Sequence, residues 1–209
     1  MKNCIILLTA LSLLGFTSCK SNEDKANELI RAELSKTLYD FDSYQPIETI
    51  VQKAKNTTLN NKKCWDHAML AILSLDMAAA NIKKANEANE YMEILGPPTS
   101  YSSSRSDREY EEYKDKKEEH IANGKINLKI FAKLTDSLKI LKKELDTTQI
   151  IGWEVHHKFR CKTKGGYASI ANYKYLIDKN FDKIIFQIDT DDKKYASIVE
   201  LLATLDKTK

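Results

Sequence analysis

The sequence predicts an α+β fold: a long antiparallel helical hairpin plus an N-terminal helix, followed by a three-stranded antiparallel β-meander and a C-terminal helix. Three observations carry this. Between Cys64 and Leu145 apolar residues recur at spacings of three and four, with one break at a Gly-Pro-Pro and serine run. From Trp153 the period falls to two. From Tyr195 to Leu205 the helical spacing returns.

The chain opens with the layout of a secretory signal peptide. Met1, Lys2 and Asn3 make a short basic start, and Cys4 to Phe16 an apolar run. A helix needs roughly 20 apolar residues to cross about 30 Å of hydrocarbon, so this run is too short to span. Small Thr17 and Ser18 follow, then Cys19, and the next residues are polar. Phe16-Thr17-Ser18-Cys19 resembles the lipobox of bacterial lipoproteins, with Phe16 where that class usually carries Leu or another aliphatic. The resemblance implies cleavage before Cys19, a diacylated cysteine sulfur and an acylated new N-terminus. An ordinary signal peptide would instead leave a reactive exposed thiol beside the membrane. Each buried CH₂ contributes about 0.8 kcal/mol, so several acyl chains anchor stably. Lys20 follows the cysteine, where an aspartate retains many proteobacterial lipoproteins at the inner membrane. Glu23 and Asp24 resemble the surface-export signal of Bacteroidota lipoproteins. The expected organisation is a signal peptide at 1–18, a lipidated tether at 19–24 and one α+β domain at 25–209. The expected place is the outer membrane, lipid-anchored on its periplasmic face or at the cell surface.

Asn22 to Tyr39 reads as the first helix, with Ala26, Leu29, Ile30, Leu34, Leu38 and Phe41 on one stripe. Ser21 or Asn22 can cap it, and Glu23 and Asp24 suit the positive end of its dipole. The residue before Pro46 is pushed towards an extended conformation. Ile47 to Lys53 fits a short strand or a further helical turn. The hairpin spans 64–146. In its first arm Trp65, Met69, Ile72, Leu75, Ala79, Ile82 and Met92 make one stripe, and Leu70, Leu73, Met77 and Ala80 a second. The first half is thus apolar nearly all round, which predicts deep packing. Asp76, Lys83 and Lys84 argue against a membrane helix. Gly96, Pro97 and Pro98 end the arm. The second arm reads Tyr110, Tyr113, Lys117, Ile121, Gly124, Leu128, Phe131, Leu138 and Leu145, with a kink expected at Gly124. Both arms are apolar away from the loop and charged near it, as an antiparallel hairpin requires.

The sheet is expected over 150–189. Trp153, Val155, His157, Phe159 and Cys161 alternate with Glu154, His156, Lys158, Arg160 and Lys162. Gly165 and Gly166 turn into a second strand, and Asp178 to Asp182, with Asn180 left-handed, into a third. Ile198, Leu201, Leu202 and Leu205 mark the inward side of the last helix. Trp153, His157, Phe159, Arg160, Gly166, Tyr167, Asp178 and Lys179 make a pattern that resembles the C-termini of uncharacterised Bacteroidota lipoproteins. The resemblance covers about a sixth of the chain and implies compartment and fold, with no activity.

Thirty-three Lys and Arg against thirty Asp and Glu give a net charge of +3. That balance argues against nucleic acid as a partner. Cys64 and Cys161 could pair in an oxidising compartment, but no metal or redox spacing links them. No nucleophile elbow, phosphate-cradling glycine loop or zinc HExxH motif occurs. His156 and His157 are adjacent on a strand, so they face opposite ways and cannot share one ion. Cys161 and His157 share a face as a nucleophile pair would, but that face reads as core, which favours an inert cysteine. His67 and His120 read as structural. The candidate ligand-binding surface is the other face: His156, Lys158 and Arg160, flanked by Tyr173 and Tyr175 or by Asn172 and Lys174, depending on register. It would suit an anionic or glycan ligand. The expected function is therefore a membrane-anchored, non-enzymatic binding or assembly module without a cofactor, with Cys19 as its lipid anchor and a protein or glycan partner. The alternative is a cell-envelope hydrolase or protein inhibitor.

Overall fold

The computed structural model describes residues 20–207. Residues 1–18, expected to be a signal peptide, and Cys19 lie outside the described residues. The fold is α+β, with a four-stranded antiparallel sheet. The chain divides into two compact units, one built from 20–53 and 152–187, the other from 54–151 and 188 onward.

In the first unit, helix α1 (Asn22–Thr37) covers one face of the sheet. Ser21 caps it: its hydroxyl accepts from the Asp24 N–H at 3.1 Å, and the Asp24 carboxylate accepts from the Ser21 N–H at 3.0 Å. The Ser21 hydroxyl also donates to the Asp24 carboxylate at 2.7 Å, and this bond first, then the one from the Ser21 N–H, holds the Asp24 carboxyl below its ordinary pKa. Ala26, Ile30 and Leu34, three or four residues apart, are the buried stripe. They pack on Tyr44, Val155, Phe159, Tyr175 and Ile177. Each large side chain so buried contributes roughly 1.5–3 kcal/mol. The helix stops before Leu38, and a 3-10 turn (Phe41–Ser43) leads into strand β1 (Gln45–Lys55). The segment left open between strand and helix is thus a strand, and the meander gains a fourth member. Pro46 fits because β1 is an edge, with a free side for the missing N–H.

Strands β2 (Ile150–Lys162), β3 (Ala168–Ile177) and β4 (Ile184–Asp189) follow in the order β1-β2-β3-β4. Register pairs His157 with Tyr173, His156 with Lys174 and Lys158 with Asn172. In the β3–β4 turn the residue at positive φ is Phe181 (63°), where Asn180 was expected. Its ring stacks on Trp153 at 5.2 Å, with the Lys25 ammonium 5.8 Å from the ring centre. This aromatic contact offsets an unfavourable backbone region of roughly 1–2 kcal/mol.

In the second unit, α2 (Lys62–Leu95) and α3 (Ser104–Glu144) form the hairpin and α4 (Lys193–Lys207) packs beside it. At 1.5 Å per residue the arms are about 51 and 62 Å long. Their antiparallel register is marked by Tyr91 stacked on Tyr113 at 4.8 Å, Lys117 Nζ donating to Asn89 Oδ1 at 2.7 Å, and Gly124 lying against Ala78 and Asn81. α3 runs as one helix through Gly124. The seam of α2 also differs from expectation. Cys64, Ala68, Ala71, Ser74, Ala78, Ala85 and Ala88 are buried, whereas Met69, Leu70, Leu75, Met77 and Ile82 are exposed. Small residues let the two helix backbones approach closely, so they take the seam and displace the large side chains outward. Trp65 and Ile72 are buried on another side of α2, where Trp65 stacks on Tyr195 of α4. Ile198, Leu202 and Leu205 are the buried stripe of α4, with Leu201 half-buried. No helix among the described residues is long and apolar enough to cross a membrane.

Candidate functional site

The β2–β3 register decides which side chains the candidate surface contains. Residues directly opposite in an antiparallel pair share a face. His156, Lys158 and Arg160 therefore share theirs with Lys174, Asn172 and Ile170. Tyr173 and Tyr175 oppose His157 and Val155, on the face under α1. Tyr175 is fully buried and Tyr173 half-buried. Both tyrosines drop out of the candidate ligand surface, and Asn172 and Lys174 take their places.

That outer face is graded. Leu176 and Lys174 are buried, His156, Lys158 and Asn172 half-buried, and Arg160 and Ile170 exposed. Same-face neighbours on a strand lie about 7 Å apart, so His156, Lys158 and Arg160 form a row of about 14 Å. Glu154 organises its buried end. Its Oε1 accepts from His156 Nε2 at 2.8 Å and from the Gln52 amide at 3.1 Å, and its Oε2 lies 3.3 Å from Lys174 Nζ. Glu154 thus meets the Lys174 charge, as a buried ammonium requires. Lys158 and Arg160 supply the cationic, accessible part.

The inner face holds a polar chain that the sequence did not announce. His157 is buried between two hydroxyls, with Nε2 2.9 Å from Tyr44 Oη and Nδ1 2.9 Å from Thr49 Oγ1. Thr49 donates its single hydroxyl proton to Asn27 Oδ1 at 2.7 Å. Its oxygen must then accept from His157, which places the imidazole proton on Nδ1 and makes Nε2 the acceptor for Tyr44. Burial pushes the imidazole pKa down to about 4, so the neutral ring this chain needs is the stable one. With both nitrogens engaged, His157 has none left to activate Cys161. Burial, and the nearby Asp40 charge, also raise the Cys161 thiol pKa. Cys64 is buried and Cys161 half-buried. The Tyr175 hydroxyl is buried and has no hydrogen-bond partner among the described residues. Burial first, then the neighbouring Tyr173, Tyr44 and Glu33, pushes that phenol well above its ordinary range.

A cleft of about 400 Å³ opens beside this chain, lined by Lys20, Asn27, Arg31, Tyr44 and others. The Arg31 guanidinium lies 5.3 Å from the Phe41 ring centre and 6.0 Å from that of Tyr44. Tyr44 and Asn27 thus line the cleft and end the His157 chain. The helical stripe of α1 gave no sign of it, because Asn27 and Arg31 flank that stripe and Tyr44 lies beyond the helix. Among the described residues, no group of three or more His, Cys, Asp or Glu side chains is placed to hold a metal ion. His67 Nδ1 lies 2.9 Å from its own helix carbonyl at Lys63, and His120 is half-buried on α3. Comparison of the chain with protein-family models, with curated proteins and with solved structures finds no match.

Proposed function

We propose that this chain is a lipid-anchored protein of the cell envelope, carried on the outer membrane by acylated Cys19, and that it acts as a non-enzymatic binding or assembly module. The observation that carries the binding part is the division of labour across the sheet. One face is closed by α1 over a packed aromatic core. The other presents His156, Lys158 and Arg160 beside Asn172. A cationic row at the end of a rigid strand suits an anionic ligand, such as an acidic polysaccharide, held by point contacts on an ordered scaffold. The apolar segment ending at Cys19 supports the anchor.

The double substitution Lys158→Ala/Arg160→Ala separates binding from solvation. Stability should change by no more than about 0.5 kcal/mol, because both side chains reach the surface. Retention on immobilised heparin, a sulfated polysaccharide, should fall clearly below that of a control, Lys139→Ala/Lys143→Ala, which removes the same charge from α3. Equal retention of the two variants would reduce the row to a solvated sheet face.

A further inference from the structure

α2 carries two rows of side chains with a repeat of seven residues. One is the small-residue row that meets α3: Cys64, Ala71, Ala78 and Ala85, with Ser74 and Ala88. The other is Asp66, Leu70, Leu73, Met77, Ala80, Lys84 and Glu87, stepping by four and three throughout. At about 100° per residue the second row lies on a different side of the helix from the first. Six of its seven members are exposed and Leu73 is half-buried. Leu70 is 52% exposed and Met77 55%. An apolar row at a 3.5-residue period is the pattern of a coiled-coil seam.

We propose that this row is the seam of a homodimer, in which α2 of one copy packs antiparallel against α2 of a second copy. The two-fold axis lies at the level of residue 75. The charges argue for the second copy and for its direction. In that arrangement Leu73 meets Met77, Leu70 meets Ala80, Asp66 meets Lys84, and Lys63 meets Glu87. Each contact occurs twice, as an isologous interface demands. The centre is apolar and both ends pair opposite signs. A parallel pairing would set Asp66 against Asp66 and Lys84 against Lys84. A lipid surface fits less well, because a membrane-bound apolar face is flanked by cations, whereas this row carries Asp66 and Glu87. Within one copy Lys62 lies 2.6 Å from Asp66, and Lys83 lies 3.7 Å from Glu87. Each acid would therefore sit between its own lysine and the partner copy's. The inference goes beyond the lipoprotein reading and does not depend on acylation of Cys19.

The test is sedimentation equilibrium of the full chain in a density-matched non-ionic detergent. The parent should be a dimer. Met77→Glu should be a monomer with unchanged helical circular dichroism. Asp66→Lys and Lys84→Asp should each weaken dimerisation at least about tenfold, since each replaces two attractions by two repulsions. The double variant Asp66→Lys/Lys84→Asp should return to within about threefold of the parent. A parent that stays monomeric at every concentration overturns the proposal. So does a dimer indifferent to Met77→Glu, a double variant weaker than either single one, or a monomer that loses vesicle binding on Met77→Glu.

Discussion

Gly152→Ala should destabilise the protein by about 3 kcal/mol or more, measured by urea unfolding of the purified chain. Gly152 lies in β2, directly under the end of β3. A Cβ there would fall 2.0 Å from the Ile177 carbonyl oxygen, 3.1 Å from its carbon and 3.3 Å from the carbonyl carbon of Asp178. All three atoms are backbone, so no side chain can swing aside. The strand pair must separate, and with it the pairing of Trp153 with Ile177 that begins the register. Gly124 makes the contrast. A Cβ added there meets Asn81 Cβ at 3.6 Å, the Ala78 oxygen at 3.7 Å and Ile82 at 3.8 Å, all ordinary contacts. Helix propensity then decides, and Gly124→Ala should be neutral or stabilise by up to about 1 kcal/mol. A loss below about 1 kcal/mol for Gly152→Ala would show that the β2–β3 pairing is not as close as described.

Acid should remove about 3 kcal/mol of stability through His157 alone. Its folded pKa of about 4 lies below the ordinary 6.5 because burial disfavours the charged ring. Between these values the unfolded chain binds a proton that the folded chain refuses, so stability falls as pH falls. The contribution is complete above pH 6.5, declines through the interval and is gone once pH passes below 4. Carboxylates titrate in the lower part of that window, so the informative quantity is a difference. Unfolding free energies of the parent and of His157→Gln are measured from pH 7.5 to 4. The parent should show the steeper fall, by about 3 kcal/mol over the range. Parallel curves would mean that His157 reaches solvent and that the chain Tyr44–His157–Thr49–Asn27 is not closed.

The legible parts of the fold are those where one period admits one answer. α1 has a single stripe, and Ala26, Ile30 and Leu34 are its buried residues. β2 alternates cleanly, and Val155, His157 and Phe159 are buried on the expected face. α2 was harder because it is apolar on more than one side. Periodicity could not tell which side meets α3, and size misled, since close helix approach selects Ala71, Ala78 and Ala85 over Met69, Leu70 and Met77. The candidate surface was half legible for a related reason. Its strand was clear, but the neighbours of His156 and Lys158 depend on register. A shift of one residue exchanges Tyr173 and Tyr175 for Asn172 and Lys174. The His157 chain joins residues up to 130 positions apart, beyond the reach of any local pattern; Asn27 lies on α1 and His157 on β2.

The most direct measurement is the intact mass of the protein extracted from its host's membranes. The expected species begins at Cys19, lacks residues 1–18 and carries the added mass of a diacylglyceryl group on the sulfur and an acyl chain on the N-terminus. A chain that retains residues 1–18, or that begins elsewhere with an unmodified Cys19 thiol, would contradict the anchor and the envelope function built on it.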